Sequence, residues 1–227
     1  MDSTRFSRTE LAFLIGLPLA WAVLLLFHPT GDEDDYYSAV EGNVDRWLVV
    51  HLGMMIFIPL MTVAIILLVR GIDNTAARIC RIASAVFALF YVAWEVLLGI
   101  GTAVLVQNVD GLPTDQRATG EDLVNEFTEN IFVRDFGLFV SIGNIALVAA
   151  MLAAGIALRR DADLAVPVWV PILLVLSGLL ITAHPPPLGP IGLVLFIVAV
   201  WLYLRSQPTE RTRAPSSPPP DAATPPG

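Results

Sequence analysis

Residues 47–69 read WLVVHLGMMIFIPLMTVAIILLV, an apolar run in which His51 is the only ionisable side chain. A helix of about 20 apolar residues is long enough to cross the hydrocarbon core of a bilayer. Trp47 stands at the start of the run, where an amphipathic indole anchors a span at the membrane interface. The run therefore predicts one membrane-spanning helix.

Segments of the same character lie on both sides of this run, separated by short arginine-bearing connections or by acidic and proline-rich ones. We predict six spans, at Leu11–His28, Trp47–Val69, Ile82–Val106, Ile131–Leu158, Val166–Ala183 and Ile191–Leu204. These segments predict an all-α fold, a polytopic transmembrane helical bundle that occupies residues 1–205.

Composition supports a membrane protein and excludes several classes of function. The chain is 56% hydrophobic and 15% charged, whereas a soluble domain is about 25% charged. A net charge of −8 argues against nucleic-acid binding, which requires a basic surface. The single cysteine, Cys80, excludes an intramolecular disulfide and any site with several cysteine ligands. The expected partners are the lipid bilayer and either a second copy of the chain or another membrane protein.

Arginines orient the predicted bundle, because cytoplasmic loops carry an excess of basic residues. With a cytoplasmic N-terminus, ten arginines lie on the inner side and three on the outer side. The inner group is Arg5, Arg8, Arg70, Arg78, Arg81, Arg159, Arg160, Arg205, Arg211 and Arg213, and the outer group is Arg46, Arg117 and Arg134. We therefore expect both termini in the cytoplasm, with the chain in a bacterial inner membrane.

The segments outside the spans predict little chemistry of their own. Residues 206–227 contain seven prolines and almost no apolar side chains, which predicts a disordered cytoplasmic tail. The outer loops Gly31–Asp45 and Gln107–Asn130 are acidic, but they lack the spacing of a calcium-binding loop. Within the second loop, Thr119–Glu129 has helical periodicity and is expected to lie on the membrane surface.

Glu95 is the outstanding polar residue, since an ionisable side chain near the middle of a span is costly to bury. Helical spacing puts Tyr91 and Glu95 on one stripe of small and polar residues, and Ser141 and Asn144 on a similar stripe of the fourth span. We expect the two stripes to face each other. Glu95 then either forms a hydrogen bond to Asn144 that fixes the helix pair, or belongs to a proton, ion or ligand site.

Histidines form a second candidate site. His28 ends the first span, His51 lies one turn into the second, and His184 ends the fifth, so all three are expected on the outer side. Imidazole together with carboxylate suits zinc or iron, although no His-x-x-x-His pattern is present. Zinc or haem is therefore one interpretation, and helix-end histidines bonded to backbone or water are the other.

Three stretches carry a resemblance to known proteins. His28-Pro29-Thr30-Gly31, Trp47-Leu48-Val49-Val50-His51 and Tyr91-x-x-x-Glu95-x-x-x-Gly99 are similar to segments of six-span bacterial membrane proteins with no assigned activity. The resemblance covers most of the chain except the tail. It implies the six-span fold and no particular reaction.

The function remains open among three classes at this point. The favoured hypothesis is a non-enzymatic, transporter-like or accessory subunit with a polar site around Glu95 and Asn144. The second is a metal- or haem-binding redox or hydrolytic enzyme that uses the three histidines with an acidic partner. The third is a purely structural or interaction protein. No serine lies in a Gly-x-Ser-x-Gly context, so no nucleophile is assigned.

Overall fold

A computed structural model describes residues 6–30, 35–161 and 166–206, and these residues are helical apart from short connections. The helices are α1 (Arg8–Leu25), α2 (Tyr36–Glu41), α3 (Val44–Leu68), α4 (Thr75–Trp94), α5 (Thr102–Asp110), α6 (Thr114–Thr128), α7 (Leu138–Arg160), α8 (Trp169–Ile181) and α9 (Leu188–Arg205). A π-helical segment, Glu95–Gly101, joins α4 to α5. The all-helical prediction is confirmed for this part of the chain, and residues 207–227 of the predicted tail lie outside it.

Five helices are long and apolar enough to cross a membrane: α1, α3, the continuous helix Thr75–Asp110, α7 and α9. The predicted fifth span forms α8, an apolar helix of only 13 residues. At 1.5 Å per residue its length is about 20 Å, against a hydrocarbon core of about 30 Å. The fold is therefore that of a helical membrane protein with five helices of spanning length and one shorter apolar helix.

The predicted start of the fourth span at Ile131 is wrong, because α7 begins only at Leu138. Residues 129–137 form turns instead, in which the amide of Leu138 donates to the carbonyl of Ile131 at 2.7 Å. Gly137 ends this turn, and a Cβ there would lie 2.5 Å from the same carbonyl oxygen. The predicted end of the first span at His28 also differs from the structure, because α1 ends at Leu25.

Small residues allow the helices α7 and α8 to approach closely. Ala150, Ala153, Ala154 and Gly155 are buried in α7. At Gly155 a Cβ would lie 2.5 Å from the Cβ of Pro171 in α8, so these two helices meet there without an intervening side chain. The helix pair α4 and α7 forms the centre of the bundle, while α9 packs between α1 and α8.

Helices α2 and α6 cover one end of the bundle. The hydroxyl of Tyr37 donates to Asp110 at 3.0 Å, and the side chain of Asn125 accepts from the Tyr37 amide at 3.1 Å. Burial and the Asp110 carboxylate raise the pKa of the Tyr37 hydroxyl. Asp35 caps α2 by accepting from the amide of Ser38 at 3.2 Å. The acidic loops are thus partly helical, and α6 contains most of the helix predicted at Thr119–Glu129, whose position on the membrane surface stays a prediction.

Candidate metal centre

Three buried histidines meet at the end of the bundle that α2 and α6 cover. His28 lies three residues after α1 ends, His51 lies in the second turn of α3, and His184 lies three residues after α8 ends. One ligand nitrogen from each ring lies within 4.8 Å of the other two. The rings of His28 and His51 have centroids 5.1 Å apart, and those of His28 and His184 are 4.9 Å apart. The three rings therefore form one cluster, and the side of the membrane on which it lies stays a prediction.

Backbone carbonyls orient two of the three rings. Nδ1 of His28 lies 2.6 Å from the carbonyl oxygen of Pro29, and Nδ1 of His51 lies 2.7 Å from that of Trp47. Because a carbonyl oxygen only accepts, each Nδ1 carries the proton and each Nε2 keeps its lone pair. Nε2 of His28 is buried and has no hydrogen-bond partner among the described residues. A donated Nδ1–H is also how metal-binding histidines are commonly fixed.

His184 completes the cluster from the opposite side. Its Nδ1 lies 3.4 Å from the hydroxyl of Tyr91, whose ring packs against Trp94 at a centroid distance of 5.2 Å. Burial, followed by the neighbouring rings of His28 and His51, holds the pKa of His184 well below its usual value. The imidazole is therefore neutral at physiological pH, the form that binds metal ions.

Glu95 lies next to the histidines and not next to Asn144. Its Oε2 is 3.8 Å from Nε2 of His51, and the carboxyl group is buried. Neither carboxyl oxygen of Glu95 nor Oδ1 of Asn144 has a hydrogen-bond partner among the described residues. The expected hydrogen bond between these two side chains is thus not formed. Glu95 begins the π-helical segment, which packs against α3, and this contact brings the carboxyl group to His51.

The π-helical segment also fits closely around His51. The indole nitrogen of Trp47 donates to the carbonyl of Gly99 at 2.7 Å, and the Trp47 ring stacks on His51 with centroids 4.4 Å apart. A Cβ at Gly99 would lie 2.8 Å from Cβ of His51, so only glycine allows this approach. A π-helical turn within an α-helix is frequently found at a functional site.

A cavity of about 320 Å³ opens beside the cluster. His28, His51, His184 and Asn144 line it, whereas Ser141 does not. The hydroxyl of Ser141 donates to the carbonyl of Phe136 at 3.2 Å. This predicted site residue therefore bonds to the backbone just before α7 and does not face the cavity. Tyr91 contacts the cluster through His184 and is fully buried.

Sequence reasoning missed Tyr36 and Asp135, which also line the cavity. The hydroxyl of Tyr36 donates a hydrogen bond to the carboxyl group of Asp135. Burial raises the pKa of Asp135, and the hydrogen bond from Tyr36 opposes this rise. Asp135 could have been identified from the sequence, because it lies in a segment that was predicted to cross the membrane. Acidic residues are rare in membrane spans and are often functional there.

The arrangement favours a single metal ion over a haem. A haem needs axial ligands on opposite sides of a flat macrocycle. The rings of His51 and His184 have centroids 6.4 Å apart, but the His28 ring lies about 5 Å from both of them. A macrocycle between His51 and His184 would therefore overlap the third imidazole. Three imidazoles around one point instead resemble the ligand set of a mononuclear zinc site.

Comparison with family models, with curated proteins and with solved structures found no match for this chain.

Proposed function

We propose that this chain is a membrane protein that binds one divalent transition metal, zinc in the first place, through His28, His51 and His184. The observation that carries the proposal is the convergence of three buried imidazoles, two of which have Nδ1 bonded to a backbone carbonyl and therefore keep the lone pair on Nε2. Neutral imidazole is a preferred ligand of zinc, and three protein ligands leave a fourth position for water or substrate.

Glu95 supplies the acidic partner that a hydrolytic site needs. Its carboxyl group is 3.8 Å from Nε2 of His51 but lies outside the set of three mutually close ligands. A metal-bound water molecule beside it would satisfy the unpaired carboxyl oxygens and transfer a proton to them. The arrangement would suit hydrolysis of an acyl bond, for which a metal ion held by the three histidines would supply Lewis acidity. Water would attack the carbonyl carbon, the bond to the leaving group would break, and Glu95 would pass the proton taken from the water to the leaving group.

The proposed setting is a bacterial inner membrane with six crossings and both termini in the cytoplasm. Under this topology α8 lies within the fifth crossing, which the sequence predicts at Val166–Ala183. The distribution of arginines supports this orientation, which puts the histidine cluster on the outer side. The lipid bilayer is then the first partner, and a second copy of the chain or another membrane protein is a further one.

A transporter-like or accessory function is the second candidate. The unpaired carboxyl oxygens of Glu95 and the unpaired Oδ1 of Asn144 favour it, because they would also accept a transported cation or proton. The two functions differ in whether a metal ion stays bound to the isolated protein.

Elemental analysis of the protein, purified in mild detergent without a polyhistidine tag, tests the proposal. We expect about one zinc per chain in the wild type and at least a tenfold loss in His51→Ala and His184→Ala, because two imidazoles bind zinc far more weakly than three. Cys80→Ser is the matched control, since Cys80 is the one cysteine of the chain and is buried outside the cluster.

Glu95→Gln separates the roles of the carboxyl group. We expect this nearly isosteric variant to retain its zinc and to lose any acyl hydrolase activity by about 100-fold or more. A wild-type protein with no more zinc or iron than the histidine variants would refute the metal site and favour the transporter-like function.

A further inference from the structure

The cavity beside the histidines has a composition that restricts what it can bind. Trp47, Trp94, Leu98 and Val140 line it with aromatic and aliphatic surface, and no arginine or lysine contributes to the lining described. Apart from the proposed metal ion, an anionic ligand would therefore meet no positively charged group of the lining. The carboxyl group of Asp135 accepts a hydrogen bond from Tyr36.

Apart from Nε2 of His28, which the proposed metal ion would take up, one buried polar atom of the lining lacks a partner among the described residues. This atom is Oδ1 of Asn144. Thr182 of the same lining does have a partner, since its hydroxyl donates to the carbonyl of Leu179 at 2.7 Å. A buried acceptor without a donor is costly, so a ligand that enters the cavity gains by bringing an N–H or O–H group.

We propose that the cavity binds an uncharged acyl amide with an apolar chain, its N–H donating to Oδ1 of Asn144 and its carbonyl oxygen turned to the metal. The inference rests on the proposed metal site. The volume of about 320 Å³ accommodates a polar head with several methylene groups, because pockets for small organic ligands begin at about this size. Phe136, which is 87% exposed, and Leu188, which is 43% exposed, extend the apolar lining to the surface.

Hydroxamates are suitable probes, since they bind metal ions through their oxygens and also carry an N–H donor. Octanohydroxamic acid, N-methyl-octanohydroxamic acid and acetohydroxamic acid are titrated into the full-length, cobalt-loaded protein, and binding is followed by the visible absorption of Co²⁺. The N-methyl compound replaces the donor hydrogen by a methyl group, and the acetyl compound shortens the chain by six carbons; Asn144→Leu then distinguishes loss of the hydrogen bond from the bulk of the added methyl group.

We expect the wild type to bind octanohydroxamic acid about tenfold more tightly than its N-methyl analogue, as one buried hydrogen bond contributes about that factor. Asn144→Leu should remove this preference while cobalt loading is unchanged. Ser141→Ala is the matched control on the same helix, because its hydroxyl bonds to Phe136, and it should keep the preference. The acetyl compound should bind at least tenfold more weakly than the octanoyl compound.

Two results would overturn the inference and leave the metal site standing. One is equal affinity of the wild type for the N–H and N-methyl compounds, and the other is equal affinity for the acetyl and octanoyl compounds. A protein that binds no cobalt, or whose cobalt spectrum responds to none of the probes, refutes the open metal site and this inference together.

Discussion

Gly99→Ala should weaken the metal site through a single methyl group. A Cβ at this position would lie 2.5 Å from Cγ and 2.8 Å from Cβ of His51, whereas carbon atoms in contact are about 3.5–4.0 Å apart. Because Cβ of His51 is bonded to the backbone of α3, rotation of the ring alone cannot relieve the overlap. The helix and the π-helical segment must separate by about 1 Å, and overpacking of this kind costs about 1–3 kcal/mol.

If this cost falls on the bound state, it raises the Kd for the metal about 5- to 150-fold. Gly101→Ala is the matched control, since it adds the same methyl group to the same segment. Its nearest atom would be Cζ of Phe127 at 3.3 Å, on a ring that can shift. Competition with a fluorescent chelator measures the Kd of each variant in detergent. Wild-type affinity in Gly99→Ala, or an equal loss in Gly101→Ala, would refute the contact with His51 as the cause.

Three further predictions concern local contacts, each measured as a change in the free energy of unfolding in detergent. Ser7→Ala should cost about 1 kcal/mol, because Ser7 forms the capping box of α1; an unchanged stability would contradict this role. Trp47→Phe should cost about 1–3 kcal/mol, since it removes the 2.7 Å hydrogen bond to the carbonyl of Gly99. Gly155→Val should cost at least about 1–3 kcal/mol, because its side chain would overlap Pro171, and full stability would show that α7 and α8 do not pack there.

Long apolar runs made the fold class predictable from the sequence. A run such as residues 47–69 satisfies its backbone hydrogen bonds in a membrane only as a helix, so neither packing nor topology is needed to predict it. Counting six crossings also predicts that the three histidines share one side of the membrane, and their rings do lie close together. The start of α7 was not predicted correctly. The charged residues Arg134 and Asp135 have apolar neighbours on both sides, so the mean hydropathy of the segment stays high across them.

The geometry of the candidate site depends on contacts that sequence spacing does not contain. Regular α-helical spacing relates Glu95 to Tyr91, but it does not predict the π-helical turn that begins at Glu95 or the helix that this carboxyl group faces. The expected pairing with Asn144 failed for that reason. The convergence of His28 and His184 depends in turn on two loop conformations beyond the helix ends, which periodicity does not describe.

The short length of α8 has a consequence for the surrounding lipid. A helix of 13 residues, about 20 Å long, is subject to hydrophobic mismatch in a bilayer whose core is about 30 Å thick. In the proposed topology, in which α8 lies in the fifth crossing, lipid next to this helix would thin to match it. Because His184 lies three residues beyond the end of α8, such thinning would bring the headgroup layer and its water closer to the histidines. A short α8 would then give water a shorter route to the cluster.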